Sequence, residues 1–179
     1  MPRILEIAQL GALVIREQAA EVTDIHDLQL EALIDDLFVT VADKSGMGIA
    51  APQVSVSKRV IILSPKPNAR YPYAQTMEPT AMINPEMTWS SLEMDKDWEG
   101  CLTVPGLRGL VPRHRAIRVR YLTREGVQME TEYNGFLARV FQHEVDHLDG
   151  LVFLDRMEST KDLVTEHQWQ KIIAQRCQL

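Results

Sequence analysis

The sequence predicts an α+β fold in which antiparallel strands pack around a central metal-binding helix, with an N-terminal helix and a C-terminal helix. Apolar residues recur at helical spacing in an early and in a late segment, and several short strand-like segments lie between them. A third helix-like segment, which carries two histidines, follows those strands. The order helix, many strands, helix, helix is typical of α+β folds. We expect residues 1–179 to form one domain, because this length suits a single core.

The first helix follows an N-terminal arm. Residues 1–23 are mixed in character and predict a partly extended segment. Asp24 suits the N-cap of the helix, and apolar residues then recur at helical intervals up to Val41. The segment Lys44-Ser45-Gly46 is expected to end this helix. The apolar stripe predicts that one face of the helix packs in the core.

Strands are predicted through most of the middle of the chain. Four of the nine prolines lie in residues 65–79, which predicts a surface loop. Asn84-Pro85 is expected to separate two strands, Pro105-Gly106 predicts a turn, and residues 124–126 predict the turn of a hairpin. The predicted strands have apolar or alternating patterns and comprise residues 59–64, 80–84, 87–93, 114–123 and 127–133.

Two helices are predicted in the last part of the chain. The helix with the histidines is expected to end at Asp149-Gly150, since glycine suits the end of a helix. The segment from Lys161 to about Arg176 predicts a final amphipathic helix, with Trp169 on its apolar face.

The composition excludes several classes of protein. A net charge of -6 and an isoelectric point near 5.4 provide no basic excess for phosphates, so we predict no nucleic-acid specificity. Two cysteines, Cys101 and Cys177, are too few for a disulfide framework, which favours a reducing compartment. The apolar runs are too short for a membrane span, and the N-terminus lacks the pattern of a secretory signal. We therefore expect a cytoplasmic protein.

An H-E-x-x-H motif lies in the helix with the histidines. His143 and His147 share one helical face, so both imidazoles can bind one metal ion. Glu144, beside the first histidine, is placed to move protons from an attacking water. Residues 136–142 are largely apolar and predict a buried helix, in which two histidines and a glutamate need partners or a metal. The motif therefore indicates a metallohydrolase.

A third metal ligand is expected, because catalytic sites of this kind usually have three protein ligands and one open position. Cys101 is the preferred candidate, since thiolate is a strong ligand for soft and borderline ions and Glu99 and Gly100 precede it. Asp155 and Glu158 are alternatives, although both follow the end of the helix. A lone cysteine without such company is more typical of a small buried core residue.

A glycine-rich segment, residues 46–53, is a further candidate for function. Gly48 permits close approach of another chain to its backbone, and the Gln53 amide can point at a developing oxyanion. A dinucleotide-binding loop is the alternative interpretation. It is rejected because no strand precedes the segment and Pro52 disrupts the helix that should begin there.

Three segments together resemble the signature motifs of peptide deformylases, in the order of that family. They are residues 46–53, 99–103 and 142–147, and the resemblance extends over most of the chain. It implies an enzyme that removes the formyl group from the N-terminal N-formylmethionine of nascent polypeptides and releases formate. It also implies one divalent metal ion, natively Fe²⁺, which Ni²⁺, Co²⁺ or Zn²⁺ can replace.

The resemblance also implies roles for individual residues. The implied metal ligands are Cys101, His143 and His147. The implied catalytic groups are Glu144 as general base and acid, and Gln53 and the Leu102 backbone N–H as oxyanion donors. The residues expected in substrate binding are Gly48 and Ile49 through their backbone, Arg108 near the peptide carbonyls, Glu99 and Gly100 beside the cysteine, and an apolar pocket of Trp98, Phe136, Leu137 and Val140. The alternative for Leu137 and Val140 is a plain core position.

One residue departs from the family pattern, and other features of the family lead to further expectations. Thr103 stands where the family usually has serine, and it keeps the hydroxyl. Arg113 and Asp146 match a pair that resembles a salt bridge supporting the metal-binding helix. The family is usually monomeric, and we expect a monomer. A transient ribosome contact through the last helix is a weaker expectation, because Asp162 and Glu166 offset its basic residues.

Two other functions fit parts of the pattern. Another protease or amidase with H-E-x-x-H would bind its metal without Cys101. A non-catalytic relative would keep the fold and act as a binding module. The presence of the three implied ligands together with Glu144 and Gln53 favours the enzyme.

Overall fold

The computed structural model describes residues 1–68 and 70–176, and Cys177 lies outside them. The predicted class, α+β with antiparallel strands, is confirmed. The helices are α1 (Leu28–Asp43), α2 (Gly135–Leu148) and α3 (Glu166–Arg176). The strands are β1 (Gly48–Ala50), β2 (Val60–Leu63), β3 (Thr80–Ser90), β4 (Met94–Cys101), β5 (Val104–His114), β6 (Ala116–Leu122), β7 (Gln128–Asn134) and β8 (Leu163–Thr165). Short 3-10 helices span Leu13–Arg16, Ala51–Val54, Phe153–Arg156 and Thr160–Asp162.

The strands form two antiparallel sheets. One has five strands in the order β1-β2-β3-β6-β7, and the other has three in the order β4-β5-β8. Helix α2 contacts β1, β2, β6 and β7 of the first sheet and β5 of the second. Residues on α2 are therefore held against both sheets. Among the helices of residues 1–68 and 70–176, none is long and apolar enough to cross a membrane.

Helix α1 packs its apolar stripe on the first sheet, as predicted. Its buried residues Leu30, Ile34 and Leu37 belong to one core cluster with Ile49 and Ile62 of the neighbouring strands. At helical spacing these side chains fall on one face, so their burial fixes the helix against β1 and β2.

The predicted N-cap of α1 was wrong by one turn. Asp27 caps the helix, because its carboxylate accepts a hydrogen bond from the Gln29 N–H at 2.9 Å. Asp24 instead accepts from the His26 N–H within a preceding turn. Both aspartates suit a cap, and the structure uses the later one.

Two strand predictions also need correction. The chain runs through Asn84-Pro85 as one strand, and a shift of register between Ile83 and Glu86 accommodates the proline. Asn84 has φ 49°, and its side-chain amide bonds both backbone groups of Val22 in the N-terminal arm. The turn after Cys101 lies at residues 102–103, whereas Pro105 and Gly106 lie inside β5.

The last helix begins later than predicted. Residues 163–165 form β8, which pairs with β5 so that Val164 lies opposite Arg108. Leu163 packs against the core cluster under β5, and this contact outweighs the helical spacing of the segment. Helix α3 therefore begins at Glu166. The predicted buried strand β2, the β6–β7 hairpin and the end of α2 before Gly150 are confirmed.

Candidate metal centre and active site

Three potential metal ligands converge where the end of β4 meets α2. Cys101 is the last residue of β4, and His143 and His147 lie one turn apart on α2. One side-chain ligand atom from each lies within 4.8 Å of the others. The Cys101 Sγ to His147 Nε2 distance is 3.2 Å. The i,i+4 spacing thus places both imidazoles beside the thiol.

These side chains fit a divalent ion with nitrogen and sulfur ligands. His147 is 1% exposed, and its Nδ1 is buried without a hydrogen-bond partner in the described part of the chain. Burial would raise the pKa of Cys101, but the neighbouring His147 and His143 lower it well below its usual value. A thiolate with two imidazoles is a donor set typical of zinc and related ions.

The alternative ligands Asp155 and Glu158 lie elsewhere. Asp155 pairs with Arg16, and Glu158 pairs with Lys96 at 2.7 Å. Neither belongs to the cluster of potential ligands that the described residues form around Cys101. The preference for a cysteine ligand over a downstream carboxylate agrees with this geometry.

Glu99 connects the potential ligands to a buried charge network. Its carboxylate accepts hydrogen bonds from Arg113 at 2.9 and 3.0 Å and from Arg139 at 2.8 Å. It also lies 2.8 Å from His143 Nδ1, which leaves Nε2 for the metal. Arg113 reaches Asp146 at 2.5 Å, so the expected salt bridge is present. Glu99 was expected in substrate binding, and it does line the cavity. Its carboxylate, however, is hydrogen-bonded to the two arginines and to His143, which it orients.

Replacement of Glu99 by glutamine is expected to lower the free energy of unfolding by about 3–5 kcal/mol, because the buried guanidinium of Arg139 loses its charged partner and that of Arg113 keeps only Asp146. Metal binding should weaken by about 10–100-fold, since Glu99 fixes the orientation of His143. Chemical unfolding of the metal-free protein and competition with a chelator measure the two effects. The matched control is Glu93→Gln, whose side chain is 80% exposed. Equal values for both variants would contradict the supporting role.

Glu144 lies beside the potential ligands and close to β1. It is 4% exposed, and its Oε2 has no hydrogen-bond partner in the described residues. Burial raises its pKa to about 7. A Cβ added at Gly48 would lie 2.6 Å from Glu144 Oε1, so only glycine leaves the room that this carboxylate needs. A carboxyl group in this setting suits transfer of protons near neutral pH.

Gln53 is oriented by hydrogen bonds at both ends of its amide. Its Oε1 accepts from the Ala50 N–H at 2.8 Å, and its Nε2 donates to Thr103 Oγ1 at 3.2 Å. The same Nε2 lies 3.4 Å from Cys101 Sγ. The Thr103 hydroxyl therefore orients Gln53, and the threonine in place of serine keeps this contact. Leu102 follows Cys101 in the turn and lines the cavity.

One cavity contains most of the predicted site residues. Its walls include Trp98, Phe136 and Val140 of the predicted apolar pocket. The other predicted residues in its lining are Gly48, Gly100, Gln53, Leu102, Arg108 and Glu144. Leu137 is not among the described residues that line this cavity, and it packs against the same core cluster as Phe136. The Ile49 side chain is fully buried in the core, and only its backbone lies on the edge strand β1.

Sequence reasoning missed several side chains at this site. Arg139 and Tyr71 line the cavity, and Glu166 and Trp169 contact Arg108. The signal for Arg139 was a charged residue within an apolar helix segment, which indicates a buried ion pair. Tyr71 lies in the proline-rich loop, where no periodic pattern indicates which residues turn inward.

Comparisons with known proteins agree with this geometry. The family model described as polypeptide deformylase matches residues 4–163. Peptide deformylase 2 of Nostoc sp. is 52% identical over 172 residues, which cover 96% of each chain. A class I type b peptide deformylase from Acinetobacter baumannii with bound Met-Ala-Ser superposes with a TM-score of 0.85 at 44% identity, over 88% of this chain and 100% of the other. The same enzyme with bound actinonin has a TM-score of 0.78 at 40% identity, over 87% and 99%.

The segment that matches the family model includes every residue of the potential metal cluster. The match covers the Nostoc protein and the Met-Ala-Ser-bound Acinetobacter enzyme almost from end to end. The cysteine-containing turn, the H-E-x-x-H helix and the glycine-rich edge strand surround one cavity. The chain belongs to the polypeptide deformylase family.

Proposed function

We propose that Cys101, His143 and His147 hold one divalent ion and that Glu144 is the general base and acid of the site. The observation that supports this most strongly is the convergence of these ligand atoms within 4.8 Å, with the buried Glu144 carboxyl beside them. The reaction is that of the family: the chain is a metal-dependent hydrolase that removes the formyl group from the N-terminal N-formylmethionine of nascent polypeptides and releases formate.

The residues of the site divide the chemistry among them. A divalent ion, when bound, supplies a Lewis acid that makes water a better nucleophile and polarises the carbonyl. Glu144 accepts the proton of the attacking water and returns it to the leaving amine. The Gln53 amide N–H and the Leu102 backbone N–H donate hydrogen bonds to the oxyanion that develops on the formyl oxygen. Thr103 keeps the Gln53 amide in the orientation that this role requires.

The substrate is proposed to lie along the free edge of β1. This strand pairs with β2 alone within the described residues, so backbone groups of Gly48 and Ile49 are available to an extended peptide. The methionine side chain enters the apolar part of the cavity, which Phe136 and Val140 line with Trp98. Gly100 leaves the room for the Arg108 side chain, whose N–H groups face the peptide carbonyls.

The remaining proposals concern the setting of the enzyme. We propose Fe²⁺ as the native ion, as the family resemblance implies, and Ni²⁺, Co²⁺ or Zn²⁺ as substitutes, since a thiolate with two imidazoles can bind each of them. We also propose a cytoplasmic monomer with residues 1–179 as one catalytic domain. Asp162 pairs with Lys96 at 2.8 Å, and Glu166 pairs with Arg108. Both carboxylates lie at or just before the start of α3 and offset its basic residues. Any ribosome contact through this helix is therefore proposed to be transient.

The products formed from formyl-Met-Ala-Ser distinguish a deformylase from another H-E-x-x-H hydrolase. Nickel-loaded protein is expected to yield formate and intact Met-Ala-Ser, because the apolar part of the cavity that is proposed to hold the methionine side chain lies beside the potential ligands. Mass spectrometry with an enzymatic formate assay measures both products. Cleavage between Met and Ala would contradict the proposal, and metallated protein that forms neither product would favour a non-catalytic relative.

A further inference from the structure

The guanidinium of Arg108 is enclosed at the rim of the cavity by three side chains. Its Nε donates to Glu166 at 2.5 Å and its Nη2 to the other oxygen of that carboxylate at 3.2 Å. Its Nη1 donates to the Tyr71 hydroxyl at 2.9 Å. The Trp169 ring lies under the guanidinium, 4.5 Å from Cζ to the ring centroid. Arg108 is 5% exposed and Trp169 is 6% exposed, so this arrangement is well packed.

Two of the three partners of Arg108 come from the C-terminal segment because of the β5–β8 pairing. Val164 lies directly opposite Arg108 in that pairing, and α3 begins two residues later at Glu166. The first and fourth residues of α3 lie on the same face of the helix, so Glu166 and Trp169 both reach Arg108. The C-terminal segment thus has a fixed register against the substrate cavity.

The contacts with these three side chains leave part of the guanidinium free to bind a ligand. A guanidinium has one N–H on Nε and two on each Nη nitrogen. The described contacts use one N–H of each of the three nitrogens. One N–H on Nη1 and one on Nη2 have no partner among the described contacts, and the side chain lines the cavity. A Cβ built on Gly100 would lie 2.6 Å from Arg108 Cζ, so the guanidinium lies directly over the residue that precedes Cys101.

We propose that Glu166 and Trp169 are positioning residues that hold Arg108 for recognition of the peptide beyond its first residue. This inference rests on the substrate-binding role proposed for Arg108. The bidentate carboxylate fixes the plane of the guanidinium, and the indole ring supports its face. Helix α3 therefore belongs to the substrate-binding machinery, although it lies outside the three signature segments.

Substrate length separates this positioning role from a general structural one. Steady-state kinetics of the nickel-loaded enzyme are compared on formyl-Met amide, which ends at the first residue, and on formyl-Met-Ala-Ser. Glu166→Gln and Trp169→Leu are expected to raise KM for the longer substrate by about 5–10-fold, within the net value of one ordinary hydrogen bond, with kcat unchanged. KM for formyl-Met amide should stay at the wild-type value.

A second cycle of variants shows whether the effect passes through Arg108. In an Arg108→Ala background, Glu166→Gln should add no further rise in KM, because the side chain that it positions is already absent. Glu158→Gln is the matched control, since it removes the same charge from a 65% exposed side chain that pairs with Lys96. This control should match wild type on both substrates.

Three other kinetic results would each reject the inference and would show which part of it is wrong. A length-dependent rise in Arg108→Ala but in neither Glu166→Gln nor Trp169→Leu would retain the role of Arg108 and reject the positioning residues. Equal rises on both substrates would indicate a general structural role for α3. An Arg108→Ala variant with wild-type KM on both substrates would reject the proposed role of Arg108 together with the inference. If Trp169→Leu fails to fold, Glu166→Gln alone decides.

Discussion

Replacement of Glu144 by glutamine is expected to lower kcat for formate release from formyl-Met-Ala by about 10²–10⁴-fold, the usual contribution of a general acid–base group. Glutamine keeps the size of the side chain but can neither accept the proton of water nor return it to the amine. Metal content should stay at the wild-type level, because Glu144 is not among the potential ligands. Steady-state kinetics and elemental analysis of the same sample measure both quantities.

The control for this variant is Glu130→Gln. Glu130 lies on β7 with its side chain 47% exposed beside Arg118 and Arg120, so the same change of charge occurs far from the cavity. It should retain wild-type kcat. A fully metallated Glu144→Gln variant that turns over like wild type would reject Glu144 as the general base, and parallel loss of metal would assign it a different role.

The Cys101→Ala variant is expected to lose bound metal and formate release together. Loss of a supporting group around a metal ligand typically costs about 10–100-fold in affinity, so loss of the ligand itself should exceed the upper end of that range. The remaining His143 and His147 provide two donors where catalytic sites usually have three. Competition with a chelator gives the affinity, and formate release is measured with and without added Ni²⁺.

The other cysteine of the chain supplies the matched control. If Cys101, His143 and His147 hold the ion as proposed, Cys177→Ala removes the other thiol of the chain and should keep both metal and activity. A Cys101→Ala variant with wild-type metal affinity would contradict the proposed ligand set and would favour an H-E-x-x-H hydrolase of another kind.

The sequence was most informative where function depends on local spacing. His143 and His147 share a helical face through i,i+4 spacing alone, and Gly48, Gln53 and Cys101 lie in short recognisable segments. Their convergence on one cavity follows from that pattern once the strands are paired. The antiparallel class was predictable for the same reason, since alternating segments and turn residues are local signals.

Features that depend on long-range contacts could not be predicted from the pattern. Glu99 meets Arg139 across 40 positions of the sequence, and Arg108 meets Glu166 across 58. The C-terminal segment has helical spacing from Lys161, but pairing with β5 makes residues 163–165 a strand. Such contacts outweigh local propensity because they bury apolar and charged groups together.

The most direct test of the account is a titration of metal-free protein with Ni²⁺ while formate release from formyl-Met-Ala is measured. Activity is expected to rise in proportion to added metal and to reach a plateau at about one equivalent, the stoichiometry of a single three-ligand site. Activity in the metal-free protein, or a plateau at a different stoichiometry, would contradict one ion held by Cys101, His143 and His147.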